Sequence, residues 1–141
     1  MAADHDLDRF VDAQAPVYER VRRELRAGRK ESHWMWFVFP QIEGLGQSPT
    51  SVRYAIRSLA EAKAYLAHPV LGARLEECAK LALAQDGKSA REIFGPVDEM
   101  KFRSSMTLFA RAAPAGSVFA QCLEKYFGGA ADAATLTRTR V

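Results

Sequence analysis

Six consecutive positions, Trp34-Met-Trp-Phe-Val-Phe39, hold two tryptophans, two phenylalanines, a methionine and a valine, with no charge among them. A run this apolar has to be shielded from water, so whatever the chain folds into must be built over it. His33 and Gln41 flank it as hydrogen-bonding groups, and Pro40 closes it. A short, fully apolar run has no period that separates helix from strand. On a helix His33, Trp36 and Phe37 share a face; on a strand His33 joins Met35 and Phe37. A lone strand cannot satisfy its own backbone, and no other segment has the pattern of a strand partner. The run is therefore expected to be a short helix, with Ser32 as its N-cap.

The remaining chain reads as helices separated by recognisable stops. Asp4 or Asp6 can cap a first helix with Leu7, Phe10 and Val11 on one face. After Pro16, Val17, Val21 and Leu25 recur at i, i+4 and i+8 opposite a set of arginines, and Gly28 supplies the stop. Gln41–Thr50 is a loop in which Gly44 and Gly46 allow close backbone approach and Ser48-Pro49 prepares a turn. Val52, Ile56, Leu59 and Leu66 form a stripe, and Ser58-x-x-Glu61 and Ser89-x-x-Glu92 read as capping boxes. His68-Pro69 opens a helix through Leu83, and Gly95-Pro96 opens one through Arg111. Ser117 and Asp132 cap the last two. The expectation is an all-α, compact, single-domain bundle of seven or eight short helices, spanning 1–141 with its core at about 7–136 and a frayed tail at 137–141.

Composition narrows the function classes. Apolar residues make up 48% and charged residues 26%, the balance of an ordinary globular domain. The net charge is +3, and no run of five basic residues occurs, so the charge pattern does not point to nucleic acid as a partner. The Arg20–Lys30 cluster reads as the solvated face of a helix. The N-terminus carries acidic residues and no apolar signal region, and no apolar stretch reaches the ~18 residues of a membrane span, which together imply a cytoplasmic address. Cys78 and Cys122 lack CxxC partners and read as small core residues.

Nucleophile, cofactor and metal motifs are missing. His5, His33 and His68 show no HxxxH pairing, and there is no P-loop or GxSxG elbow. Gly44-Leu-Gly46 lacks the six-residue dinucleotide fingerprint. No metal and no cofactor is expected. The helix after Pro96 is more informative. Val97 and Leu108 fall on one flank and Phe102, Met106 and Phe109 on the other, with Asp98, Lys101 and Ser105 as a polar stripe between them. Glu99, Arg103, Thr107 and Arg111 take the wet face. Buried charge needs a partner, so Asp98 and Lys101 either pair or line a cavity.

Aromatic walls, a histidine, a glutamine, a glycine loop and a Lys/Ser stripe are the ingredients of a pocket for a small polar ligand. The expected ligand-binding residues are His33, Trp34, Trp36, Gln41, Gly44, Gly46, Lys101, Ser104 and Ser105. The ligand would be anionic or nucleotide-like, held between the Trp-rich run and the 97–109 helix. Two alternatives stand beside this: an N-glycoside hydrolase using Glu31 or Asp98, and a protein-interaction module that docks a partner on exposed tryptophans.

His33-Trp-Met-Trp-Phe-Val-Phe-Pro-Gln41, Gly44-Leu-Gly46, Tyr54-Ala-Ile56, Glu61-Ala-x-Ala-Tyr-Leu66, His68-Pro-Val-Leu-Gly-x-Arg-Leu75 and Met100-Lys-Phe-Arg-Ser-Ser-Met-Thr-Leu-Phe109 resemble the bacterial family called domain of unknown function 1810. The resemblance covers about Phe10 to Leu136 and implies a mostly helical single domain, without supplying an activity. A "calpastatin-like" label attached to that family describes long, disordered repeats, whereas this chain is compact and apolar-rich. Glu31-Ser-His33 and Met100-Lys-Phe102 are also loosely similar to the NADAR proteins, which act on N-glycosidic bonds of ribose derivatives including ADP-ribose. The order of Glu and Ser is reversed here.

Overall fold

A computed structural model describes residues 6–140. Its described residues form ten helices: α1 (Asp8–Gln14), α2 (Tyr18–Ala27), α3 (Met35–Val38), α4 (Pro49–Arg53), α5 (Leu59–Ala67), α6 (Leu71–Leu83), α7 (Ala90–Phe94), α8 (Pro96–Ala112), α9 (Val118–Phe127) and α10 (Ala133–Arg138). They include no strand, only one isolated parallel bridge between Ile42 and Ile56. The all-α expectation holds. Ser48-Pro49, expected as a turn, instead caps and opens α4: the Ser48 hydroxyl accepts from the Ser51 amide with Pro49 in the first turn.

The longest helix, α8, packs against α5, α7, α9 and α10 and is the axis of the fold. Gly95 enters it at φ +89°, a conformation other residues rarely adopt, and Pro96 follows at the first helical position. Phe102, Met106 and Phe109 are fully buried, each contributing on the order of 1.5–3 kcal/mol by leaving water. Phe102 stacks on Phe94 at 4.4 Å and meets the edge of Phe39 at 5.1 Å. The last aromatic of the Trp-rich run is thereby inserted under α8. Cys78 and Cys122 are both fully buried, and burial pushes both thiols up to about 12.

The run itself is a single helical turn, and Ser32 does not cap it; the cap is Trp34, with no side-chain bond. The reason lies in α2. Glu24 is one of the residues between the arginines, yet it is buried. Its carboxylate accepts the Ser32 hydroxyl (2.6 Å), the Ser32 and Glu31 amides (2.9 and 2.8 Å) and the Trp34 indole N–H (2.9 Å). Ser32 is thus committed to Glu24, and the helix starts later than expected.

Other differences have equally local causes. Leu7, without a side-chain bond, precedes α1; the backbone carbonyl of Asp6 accepts from Arg9, and Asp4 lies outside the described residues. Ser58 caps α5 through the Glu61 amide, but the Glu61 carboxylate turns to the Arg57 amide and Arg9, so the box is half made. The Ser89–Glu92 box is complete. α6 begins at Leu71, and the His68 ring, through Nδ1, accepts from the Val70 and Leu71 amides ahead of it. Thr107 is buried rather than wet because α10 covers it, and its hydroxyl accepts from the Asp132 amide. Val97 is exposed rather than buried, one residue into α8. Within the stretch expected as a tail, Thr139 is buried and donates to the Thr135 carbonyl, and residue 141 lies outside the described residues.

Gly72 sits where α6 turns back on the end of α5, and a Cβ there would overlap the Leu66 carbonyl oxygen. Backbone cannot step aside as a side chain can. Gly72→Ala is therefore expected to destabilise the fold by at least about 1–3 kcal/mol, read as a lower urea midpoint at unchanged slope.

Candidate functional site: a cleft around the glycine loop

The loop between α3 and α4 is tied down by its backbone. The Gln41 carbonyl accepts from the Ile56 amide and the Glu43 amide donates to the Ile56 carbonyl, both at 2.8 Å. These bonds press residues 41–47 against the 54–57 segment. That segment is held from behind by Arg9, which donates to the carbonyls of Arg53 (2.9 Å) and Ala55 (2.8 Å) and pairs with Glu61 at 3.3 Å. Burying this pair would cost several kcal/mol without such partners; with them it becomes a rigid brace for the wall of the site.

Gly44 shows what crosses the loop. It has φ +92°, and a Cβ at this position would occupy the space of the Arg138 guanidinium. Glycine leaves room for the last side chain of α10 to lie over the loop, and a Cβ here would displace that guanidinium. The result is a cleft of two lobes. One, of about 400 Å³, is lined by Trp36, Gln41, Glu43, Tyr54, Arg57 and Arg138 among others. The second, of about 410 Å³, includes Leu45, Met100, Lys101, Ser104 and Asp132. Gln41, Gly46 and Ser51 line both, so the two lobes adjoin. The Lys101 ammonium lies 4.9 Å from the centre of the Trp36 ring and joins the two walls electrostatically.

The charges are unevenly matched. Asp98 is neutralised twice, by Lys30 at 2.8 Å and Lys101 at 3.6 Å. Glu43 and Asp132 are the acidic residues of the two lobes. The side chains of Arg57 and Arg138 make no ion pair among the described residues, and both are exposed. Two cations outside any ion pair, against the single carboxylate of Glu43 and beside an indole and a phenol ring, favour an anion that also presents a flat face.

Of the residues expected to bind a ligand, Trp36, Gln41, Gly44, Gly46, Lys101 and Ser104 converge on this cleft. His33, Trp34 and Ser105 line neither lobe. His33 is exposed, because its neighbour Trp34 turns inward to Glu24. Trp34 is 1% exposed and is core, which also removes it from any exposed docking face. Ser105 is fully buried with its hydroxyl unpartnered. Glu31 is exposed, 3.8 Å from Arg29, and Asp98 faces lysines; neither carboxylate lines the cleft. Tyr54, Arg57 and Arg138 were not expected. The one local hint was Gly44, a glycine that needed something to pass over it. Among the described residues no group of three or more His, Cys, Asp or Glu could hold a metal ion, and no helix is long and apolar enough to cross a membrane.

A family model described as "Protein of unknown function (DUF1810)" matches residues 4–139. Among solved structures, the chain is similar to the crystal structure of the conserved hypothetical protein Rv1873 from Mycobacterium tuberculosis. The two share 58% identity over 97% of this chain and 98% of that one, with a TM-score of 0.95. No curated protein matches.

Proposed function

The chain belongs to the DUF1810 family of proteins of unknown function, and from that premise we propose that its cleft binds a small anionic ligand bearing a flat ring, a nucleotide being the class that fits best. The observation that carries this reading is the meeting of Arg57 and Arg138, two guanidinium groups without ion pairs, with Trp36 and Tyr54 around one 400 Å³ cavity. That volume lies within the usual range for small-molecule sites. Planar guanidinium forks match phosphate oxygens, the aromatic rings offer a stacking face, and Gln41 and Ser51 supply hydrogen-bonding groups. Lys101, above Trp36, adds a third cation from the second lobe.

The glycoside-hydrolase alternative rested on Glu31 or Asp98, and neither lies in the cleft; the carboxylates there are Glu43 and Asp132, one in each lobe, and binding is the reading proposed. A second reading, docking of a protein segment, is favoured by one observation. Val52, Val97 and Met100, the large apolar side chains exposed among the described residues, all stand on the cleft's walls.

A nucleotide panel in a thermal-shift assay tests the first reading. A ligand present at a hundred times its Kd adds about 2.7 kcal/mol, which for a chain of this size raises Tm by roughly 5–10 °C. Silence across the panel at millimolar concentration would overturn it and leave the docking reading standing.

A further inference from the structure

A further depression, of about 430 Å³, shares Arg57 and Arg138 with the first lobe of the cleft. Its lining includes Arg57, Ser58, Lys63, Arg138, Thr139 and Arg140, and no acidic side chain. The acidic residue nearest in sequence, Glu61, is turned inward to Arg9 and is 1% exposed. Lys63 and Arg140 are exposed, and neither makes an ion pair among the described residues. Leu59 and Ala60, the first turn of the nine-residue helix α5, also line the depression and add the positive end of its dipole. Four cations in one concavity repel one another, and a bound polyanion relieves that repulsion. The depression is open to solvent and about as large as either lobe of the cleft, with room for a chain of phosphates.

Because Arg57 and Arg138 belong to the walls of both cavities, we infer that the two form one extended site whose ligand is a nucleoside polyphosphate. The ring lies between Trp36 and Tyr54, the first phosphate meets Arg57 and Arg138, and further phosphates run on to Lys63 and Arg140. This rests on the reading of the cleft given above and specifies its ligand class.

Calorimetric titration of nucleoside mono-, di- and triphosphates, and of inorganic tripolyphosphate, into the wild type and the Lys63→Ala/Arg140→Ala variant tests it. Both substituted side chains are exposed, so the variant is expected to fold as the wild type does. In the wild type, affinity should rise by about tenfold with each added phosphate. The variant should bind the monophosphate unchanged and lose most of that gain. A monophosphate that binds as tightly as the triphosphate, or a variant that keeps the gain, would overturn the inference while leaving the cleft reading intact. Tripolyphosphate binding as tightly as the triphosphate would overturn the continuity of the two cavities. No binding by any nucleotide would overturn the cleft reading and this inference with it.

Discussion

Glu24→Leu is expected to cost about 3–5 kcal/mol of folding stability, on the order of a 10 °C fall in Tm, the scale seen when one partner of a buried polar network is removed. Four donors, two of them backbone amides, converge on this carboxylate, and leucine would leave all four without an acceptor. The pH dependence separates this role from simple packing. Burial alone would raise the Glu24 carboxyl, but the hydrogen bonds from Ser32, Glu31 and Trp34 outweigh it and hold the group lowered from 4.5 to about 2. A carboxylate lowered on folding stabilises the protein above its unfolded value. Its contribution, roughly 3 kcal/mol, is present above about pH 4.5 and is lost as pH falls towards 2. The stability difference between the wild type and Glu24→Gln should therefore shrink across that window, measured by urea unfolding at successive pH values. A difference that stays constant down to pH 2 would contradict the anchoring role.

The second large effect concerns ligand rather than fold. Arg57→Ala/Arg138→Ala should weaken nucleotide binding on the order of 10²–10⁴-fold, since each charge-assisted contact is worth about 1.5–3 kcal/mol. Both side chains are exposed and unpaired among the described residues, so stability should change by no more than about 0.5 kcal/mol. Gly44→Ala gives an independent check. It leaves both arginines in the chain but takes the space over which Arg138 lies, so binding should weaken while the charge is unchanged. Equal affinity in all three proteins would place the ligand elsewhere.

How far these features could be read from the residues depended on distance along the chain. The Ser89–Glu92 box, the Gly95-Pro96 entry to α8 and the caps at Ser117 and Asp132 are each decided within three or four residues, and each is found as expected. Glu24 was not legible, because its burial depends on Ser32 and Trp34 arriving after a turn. Read alone, a glutamate among arginines belongs to a wet helix face. His33 fell out of the site for the same reason, since a later helix start reverses which neighbour points inward. Thr107 read as wet because helical spacing along α8 carries no information about a covering helix that begins 26 residues later. Half of the cleft was legible, on the Trp36–Gly46 and Lys101–Ser104 segments. Its cationic half was not: Arg57 and Arg138 meet only because Arg9 and the Ile42–Ile56 bridge set one wall and α10 lies across Gly44.

The two tryptophans offer the most direct test of the cleft. Their indole N–H groups give two resonances in a ¹H–¹⁵N spectrum, one from Trp34 locked onto Glu24 in the core and one from Trp36 on the cleft wall. Titrating a nucleotide should move the Trp36 resonance progressively and leave that of Trp34 in place. Binding that leaves Trp36 unmoved, or that shifts Trp34 instead, would contradict the assignment of the cleft as the ligand site.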